Sequence, residues 1–447
     1  MNTDTRAKPV TNKMFVIIPG CSDLNRGDQA LVWETKRLAE EAGFIGDYFL
    51  TSERKEPVQQ SKEFGLNIIR PLLEHPSRIF DDTNNIDYSF ALKIKWGVVA
   101  FFDFIISLLF LCKLTRPLVK VLASKEKKNS LKIMQNASAF FVKGGGLIHS
   151  YGGITSTYSM YFSVYHILLA SSLRKPIYIM PNSFGPFEGP FVKKIVKHAL
   201  QKCTLVATRE SFSQDMLMRD LKIQAENYPD LAFYLENTDT DKAEFLAMYN
   251  LPSDKKLIAI TMRPHRFPGS TTPKEDYLKF KSEMALFIKR LNKQGFMPVL
   301  IEHTLAVNSH ENDGSCINDV IKLLEKDEFT FVTNKEYTCH GLKMIYSHCD
   351  YIIGTRFHSV IFSLSNNVPG IAITYAGNKG QGIMNDVGLK DLTVSIKDES
   401  SEILINKFTY LLNNETEIKR SIKSYNNLAL KQRKDLINRI SNENIMA

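Results

Sequence analysis

The stretch "YIIGTRFHSVIFSLSNNVPGIAI", residues 351–373, reads as an apolar strand, a turn carrying Arg356 and His358, an apolar helix opening near Ser359, and a second apolar strand. A parallel strand pair needs a crossover, usually helical, so this pattern predicts α/β architecture. The same alternation starts near Lys13, with "MFVIIPG" as a strand and "GDQALVWETKRLAEEAG" as a helix beginning at or near Asp28 and ending at Gly43. Further strands are expected in "SAFFVKGGG", "PIYIMPNSFG", "TLVATRE", "KLIAITMRP", "GFMPVLIEHT" and "FTFVT". The polar, turn-rich stretch 236–256 separates two such series. The predicted organisation is an N-terminal domain over 13–237 with an insertion at about 75–130, a C-terminal domain over 255–410, and a helical segment over 411–447. Each domain would be a doubly wound sheet, with ligands in the cleft at the carboxyl ends of the strands.

With 447 residues and 44% hydrophobic content, the chain can fill two cores. Its 57 basic and 48 acidic residues give a net charge of +9, which favours anionic partners without naming one. The start, "MNTDTRAKPVTNK", lacks the apolar core of a signal peptide, so a cytoplasmic location is expected. Cys21, Cys112, Cys203, Cys316, Cys339 and Cys349 form no CxxC pair and are expected as reduced core residues. No HExxH or Walker motif points to a metal or a nucleoside triphosphate, and the basic residues are not interleaved with stacking aromatics as in nucleic-acid binding.

The insertion holds "WGVVAFFDFIISLLFLCKL", residues 96–114, where Asp103 is the only charge before Lys113. Its apolar part would span about 26 Å as a helix. It is apolar around nearly its whole circumference and must be buried, either in the first domain or against lipid. Lys113, Arg116, Lys120, Lys125, Lys127 and Lys128 follow, against Glu126 alone, which suits an anionic leaflet for residues 96–128.

Several polar groups fall at strand ends. Unpaired N–H groups at a helix N-terminus favour an anion, and a guanidinium beside them can grip phosphate or carboxylate, so Arg356 and His358 look like an anion pocket. "YAGNKGQG", with Lys379, lies one strand further along the same rim. Asp28 in "NRGDQA" is either a first-turn carboxylate or a cleft-facing acid or base. "KGGGLIHS" at 143–150 suits close backbone approach but lacks dinucleotide spacing, and Arg209 in "ATRES" is another cation at the sheet edge. His303 and His310 read as structural or surface residues.

Together, "NRGDQALVWE", "KGGGLIH", "PNSFGPF", "ATRES", "YPDLAF" and "GTRFHSVIFSLSNNVPGIAI" resemble the polysaccharide pyruvyl transferase family over roughly residues 14–395. The resemblance implies a GT-B-like fold and transfer of the enolpyruvyl unit of phosphoenolpyruvate (PEP) to a hexose as a pyruvate ketal, with no cofactor and no metal. It implies Asp28, His358 and Arg209 as catalytic residues and Arg356, His358, Arg209, Ser359 and Lys379 as the PEP site. Asn25, Gly145, Gly146 and His149 would face the acceptor. The family often has Glu where Gln29 stands and an aliphatic where Phe357 stands. The insertion suggests a lipid-linked glycan as acceptor, at the inner face of the cytoplasmic membrane. The rival readings are a nucleotide-sugar glycosyltransferase of the same fold and a non-catalytic subunit of an envelope-assembly complex.

Overall fold

Two parallel sheets stand in sequence along the chain. The computed structural model describes residues 12–53, 56–80, 89–306, 311–375 and 379–446. The first sheet holds β1 (Lys13–Ile18), β2 (Gly46–Thr51), β3 (Leu66–Ile69), β4 (Ala139–Val142), β5 (Gly145–Tyr151), β6 (Ile177–Glu188), β7 (Leu205–Thr208) and β8 (Glu226–Asn227). Their order is β3-β2-β1-β4-β6-β7-β8, with β5 paired to the far half of β6. The second sheet holds β9 (Leu257–Thr261), β10 (Met297–Ile301), β11 (Thr330–Val332), β12 (Tyr351–Gly354), β13 (Gly370–Thr374) and β14 (Thr393–Ser395), in the order β11-β10-β9-β12-β13-β14.

In both sheets the chain starts centrally, winds outward one way, then returns beside its first strand and winds the other way. The reversal falls between β1 and β4 in the first sheet and between β9 and β12 in the second. Loops diverge at such a point and leave a crevice at the carboxyl ends of the strands.

Each sheet is covered on both faces, which is why its strands read as continuous apolar runs rather than alternating ones. In β1, Phe15 and Ile17 join one core while Val16 and Ile18 join the other. The first of these cores continues into the second domain. It is closed by the helix Glu415–Met446, which leaves the second domain and packs back on the first. Arg433 pairs with Glu41 at 2.5 Å, Arg439 with Glu226 at 2.8 Å, and Ser441 Oγ donates to the Ala42 carbonyl at 2.8 Å.

The insertion between β3 and β4 forms the helices Phe90–Leu111, Arg116–Leu122 and Lys125–Asn136. Phe90–Leu111 is long and apolar enough to cross a membrane, yet only 11% of its most apolar window is buried. The reading in which it fills the first domain's core is therefore corrected. Only Ser107 and Phe110 are buried along it, against the helix Ser156–Ser172, where Ser107 Oγ meets Tyr161 Oη at 2.8 Å. Two of the six expected surface cations are also corrected. Arg116 is buried and caps the apolar helix, donating to the Phe110 and Leu111 carbonyls at 2.7 and 3.0 Å. Lys127 donates to the Leu72 carbonyl at 3.2 Å. Cys112 departs from the expected core role, since it ends the outward-facing helix and is exposed.

Leu436 and Ile440 seat the last helix, both with no exposed surface. Leu436→Ala should cost about 2–5 kcal/mol, read as a lower urea midpoint with an unchanged slope.

Candidate functional site

The helix Arg26–Glu41 follows β1, and the helix Phe357–Ser365 follows β12, so their N-termini come from the two opposed reversal points. Phe357–Ser365 starts two residues before the expected Ser359, with Arg356 as its N-cap residue and His358 in its first turn. The two helix ends touch. A Cβ added to Gly27 would lie 2.1 Å from His358 Nδ1, so only glycine admits this approach.

Asn25 caps the first helix by accepting from the Asp28 N–H at 3.3 Å, and its Nδ2 donates to Asp28 Oδ2 at 2.9 Å. Asn25 also bridges Thr304 beyond β10, and Leu305 N–H donates to the Leu24 carbonyl at 2.9 Å, fastening the domains beside the site. Arg26 Nη2 donates to the Asn334 carbonyl at 2.9 Å. Gln29 adds a contact a carboxylate could not reproduce: Oε1 accepts from Cys339 N–H at 2.8 Å while Nε2 donates to Gln60 at 2.8 Å.

Asp28 is both things the sequence left open, a first-turn carboxylate and a wall of the cleft. Lys143, directly after β4, is buried and paired with it. Burial pulls the ammonium's pKa down, but Asp28 outweighs this and the net shift is upward, so Lys143 is charged. Arg209, after β7, is buried with its Nη1 2.5 Å from Asp230 Oδ2 and its Nε donating to Ser183 at 2.7 Å. Asp230 also lies 3.9 Å from His358 Nε2. That nitrogen is buried without a hydrogen-bond partner among the described residues. Burial lowers the imidazole's pKa, with Asp230 and Asp28 opposing it and Arg209 and Lys143 reinforcing it. Free His358 is thus neutral at pH 7. Glu210 is pushed up to about 7, chiefly by burial, and accepts from Ser183 at 2.9 Å.

Arg356 does not stand open in the cleft. Its Nε donates to buried Asp313 at 2.8 Å and its Nη2 to the Glu311 carbonyl at 2.6 Å, leaving Nη1 without a partner among the described residues. Ser359 is turned inward, with its hydroxyl 2.5 Å from the Arg356 carbonyl and 2.8 Å from Thr261 Oγ1. His303 is a buried residue beneath the site, 3.1 Å from Tyr346 Oη through Nδ1, with its pKa lowered by burial and by neighbouring His358 and Arg356. His310 and the loop 376–378 lie outside the described residues, as does the side chain of Lys379.

A cavity of about 460 Å³ opens at the carboxyl ends of β1 and β4. Asn25, Asp28 and Lys143 line it, with Thr304 and Glu311 from the second domain. Gly145, Gly146 and His149 are absent from this lining, and so are Arg209, Arg356, His358 and Ser359. β5 carries the first three along β6, where His149 Nδ1 lies 2.9 Å from the Gly146 carbonyl. Lys143, Asp230 and Arg263 were not singled out as site residues from sequence. Arg263 follows β9 with its guanidinium 4.5 Å from the Tyr375 ring, and the strand-end reasoning applied to Arg209 would have found it.

Residues 25–377 match the family model for polysaccharide pyruvyl transferase. The chain belongs to that family. This pyruvyl transferase family member is 25% identical over 268 residues to "Amylovoran biosynthesis protein AmsJ" of Erwinia amylovora, covering 58% of this chain and 63% of that relative. It therefore spans less than two thirds of the relative's length. In fold it is similar to a glycosyltransferase from Rickettsia africae (12% identity, TM-score 0.52, covering 98% and 97% of the two chains). It also resembles Anabaena Alr3699/HepE in complex with UDP and glucose (9%, 0.54, 98% and 100%) and Arabidopsis thaliana UGT89C1 complexed with UDP (10%, 0.56, 96% and 100%). The chain thus has a GT-B-like fold of two facing Rossmann-like domains with a central cleft.

Gly27→Ala should lose about 1–3 kcal/mol by overpacking. Gly97→Ala, with open space around its added methyl, should not be destabilised. Equal denaturant midpoints for the two variants would show that the helix ends are not in tight contact.

Proposed function

We propose that the chain transfers the enolpyruvyl unit of PEP to a hexose of an exopolysaccharide precursor, forming a pyruvate ketal and releasing phosphate. The observation that carries this reading is the convergence of Asp28, Lys143, Arg209, Asp230 and His358 on two opposed helix N-termini in a chain of this family. PEP carries a phosphate and a carboxylate, and cations with unpaired backbone N–H groups suit both.

The reaction needs a proton on the PEP methylene carbon, a base for the attacking hydroxyl and cations for the departing phosphate. Asp28, in the cavity wall, takes the proton of the attacking hydroxyl. That oxygen bonds to C2 as C3 gains a proton from the His358 imidazolium, which forms by proton uptake from solvent once PEP is bound, and Asp28 returns its proton to solvent afterwards. The imidazole is neutral in the free protein and gains basicity when phosphate lies beside it. The C2–O bond to phosphate then breaks, a second sugar hydroxyl closes the ketal, and its proton leaves with phosphate. Lys143 and Arg209 hold the anionic groups, with Arg356 adding only its Nη1. Phosphate release from PEP should appear with a suitable hexose acceptor, with a product heavier by one pyruvate ketal. Asp28→Asn should lower kcat by about 10²–10⁴. Stabilisation by UDP and not by PEP would favour a nucleotide-sugar transferase instead.

The same reading places the protein on an anionic leaflet, at the inner face of the cytoplasmic membrane, with a lipid-linked acceptor. Support comes from Phe101 and Phe102, each 61% exposed, and Leu114 and Leu122, 85% and 88% exposed. Exposed Lys93, Lys95, Lys113 and Lys125 lie around them. Each large side chain buried in lipid contributes about 1.5–3 kcal/mol. Phe102→Glu with Leu122→Glu should cut binding to phosphatidylglycerol vesicles at least tenfold. Undiminished binding would remove the membrane from the account.

A further inference from the structure

The cavity that begins at Asp28 and Lys143 does not end there. It also runs between the end of β2, the 71–73 loop and the helix Ser156–Ser172, where Thr51, Leu73, Phe162, Ser163, His166 and Ile167 line it. None of these six carries a formal charge at neutral pH, but Glu53 and Glu56, just beyond β2, also line the cavity, and Lys143, paired with Asp28, is the one cation among its described lining residues. His166 Nε2 accepts from the Leu72 N–H at 3.2 Å, which places the imidazole proton on Nδ1. Nδ1 has no hydrogen-bond partner among the described residues. Burial, helped by Lys127, pushes the ring's pKa down to about 4, so this tautomer is the neutral one at pH 7. The Thr51 hydroxyl, on a residue 1% exposed, likewise has no partner among the described residues. Ser163 Oγ donates to the Ser159 carbonyl at 3.0 Å and keeps its lone pairs. The chamber therefore offers neutral donors, hydroxyls, the carboxylates of Glu53 and Glu56, one aromatic ring and apolar side chains. That is the chemistry of a sugar ring, with hydroxyls at its edge and C–H groups on its faces, and not of a phosphate.

We infer that this chamber is the hexose subsite of the acceptor, with Phe162 as the platform for a ring face and His166 and Thr51 as hydrogen-bonding groups that select the sugar. The inference rests on the pyruvyl transfer reading only for the identity of the other substrate. Its position also relates the chamber to the insertion. The helix that carries Phe162 and His166 packs through Tyr161 against the apolar helix, and Leu72, whose N–H donates to His166, accepts from Lys127 at its carbonyl. A sugar on a leaflet-anchored lipid would thus enter beside the docking surface and meet Asp28 at the far end.

The test uses methyl glucoside, methyl galactoside, methyl mannoside and N-acetylmannosamine as probes, followed by ligand-observed NMR on the full chain, with PEP titrated separately. At least one sugar should bind, and Phe162→Ala and His166→Ala should each weaken it about tenfold or more. Ser163→Phe, which fills the chamber while leaving Phe162, His166 and Thr51 in place, should abolish it. PEP binding in the same variants should be unchanged, which also shows that they are folded. Sugar binding that survives all three substitutions, or no binding by any probe, overturns the subsite. Sugar binding that depends on these residues in a chain that does not bind PEP keeps the subsite and discards the donor.

Discussion

The contact of Gly27 with the His358 ring sets the spacing of everything else in the cleft. Two helix N-termini from separate domains approach until one side chain fills the space where the other helix has none. Their unpaired N–H groups create a positive region that neither domain could make alone. The Asn25–Thr304 bridge, the Leu305–Leu24 bond and the Gln29 contact to Cys339 fix the approach on one side. The last helix, crossing back to the first domain, fixes it from behind.

That region is not left as bare positive charge. Lys143 has Asp28, Arg209 has Asp230, and Arg356 has Asp313. Leaving a buried charge unpaired costs several kcal/mol, so each cation carries a carboxylate. The pairing also holds each cation in one geometry before a ligand arrives, so less ordering is required on binding. Carboxylates so placed can take a proton when an anion competes for the cation. The part of the cavity around Phe162 and His166 follows a different rule: no cation lines it among the described residues, and polar groups with open positions are set among apolar walls.

Much of this was legible in the sequence. The strands with long apolar runs, the doubly wound organisation and the strand-end positions of Asp28, Arg209, Arg356 and His358 follow from local pattern, because a buried parallel strand has no polar face. The short strands β2, β3, β8 and β14 did not stand out, since "GDYFLT" or "EN" becomes a strand only when a neighbour pairs with it. Lys143 sat inside a motif read for its glycines, and Asp230 inside "YPDLAF", but their partners are 115 and 21 residues away. The His166 chamber was hidden for the same reason, since three separate segments build it. The outward face of Phe90–Leu111 could not be chosen over a buried one from composition, because an apolar circumference suits either surrounding.

If PEP binds between the two helix N-termini, its phosphate lies against the His358 ring. The most direct test follows the imidazole C–H resonances of His358, assigned with His358→Gln, through a pH titration with and without PEP. The account predicts a free imidazole with a pKa below the usual 6.5 that rises when PEP is bound. A resonance and titration unmoved at saturating PEP would contradict it.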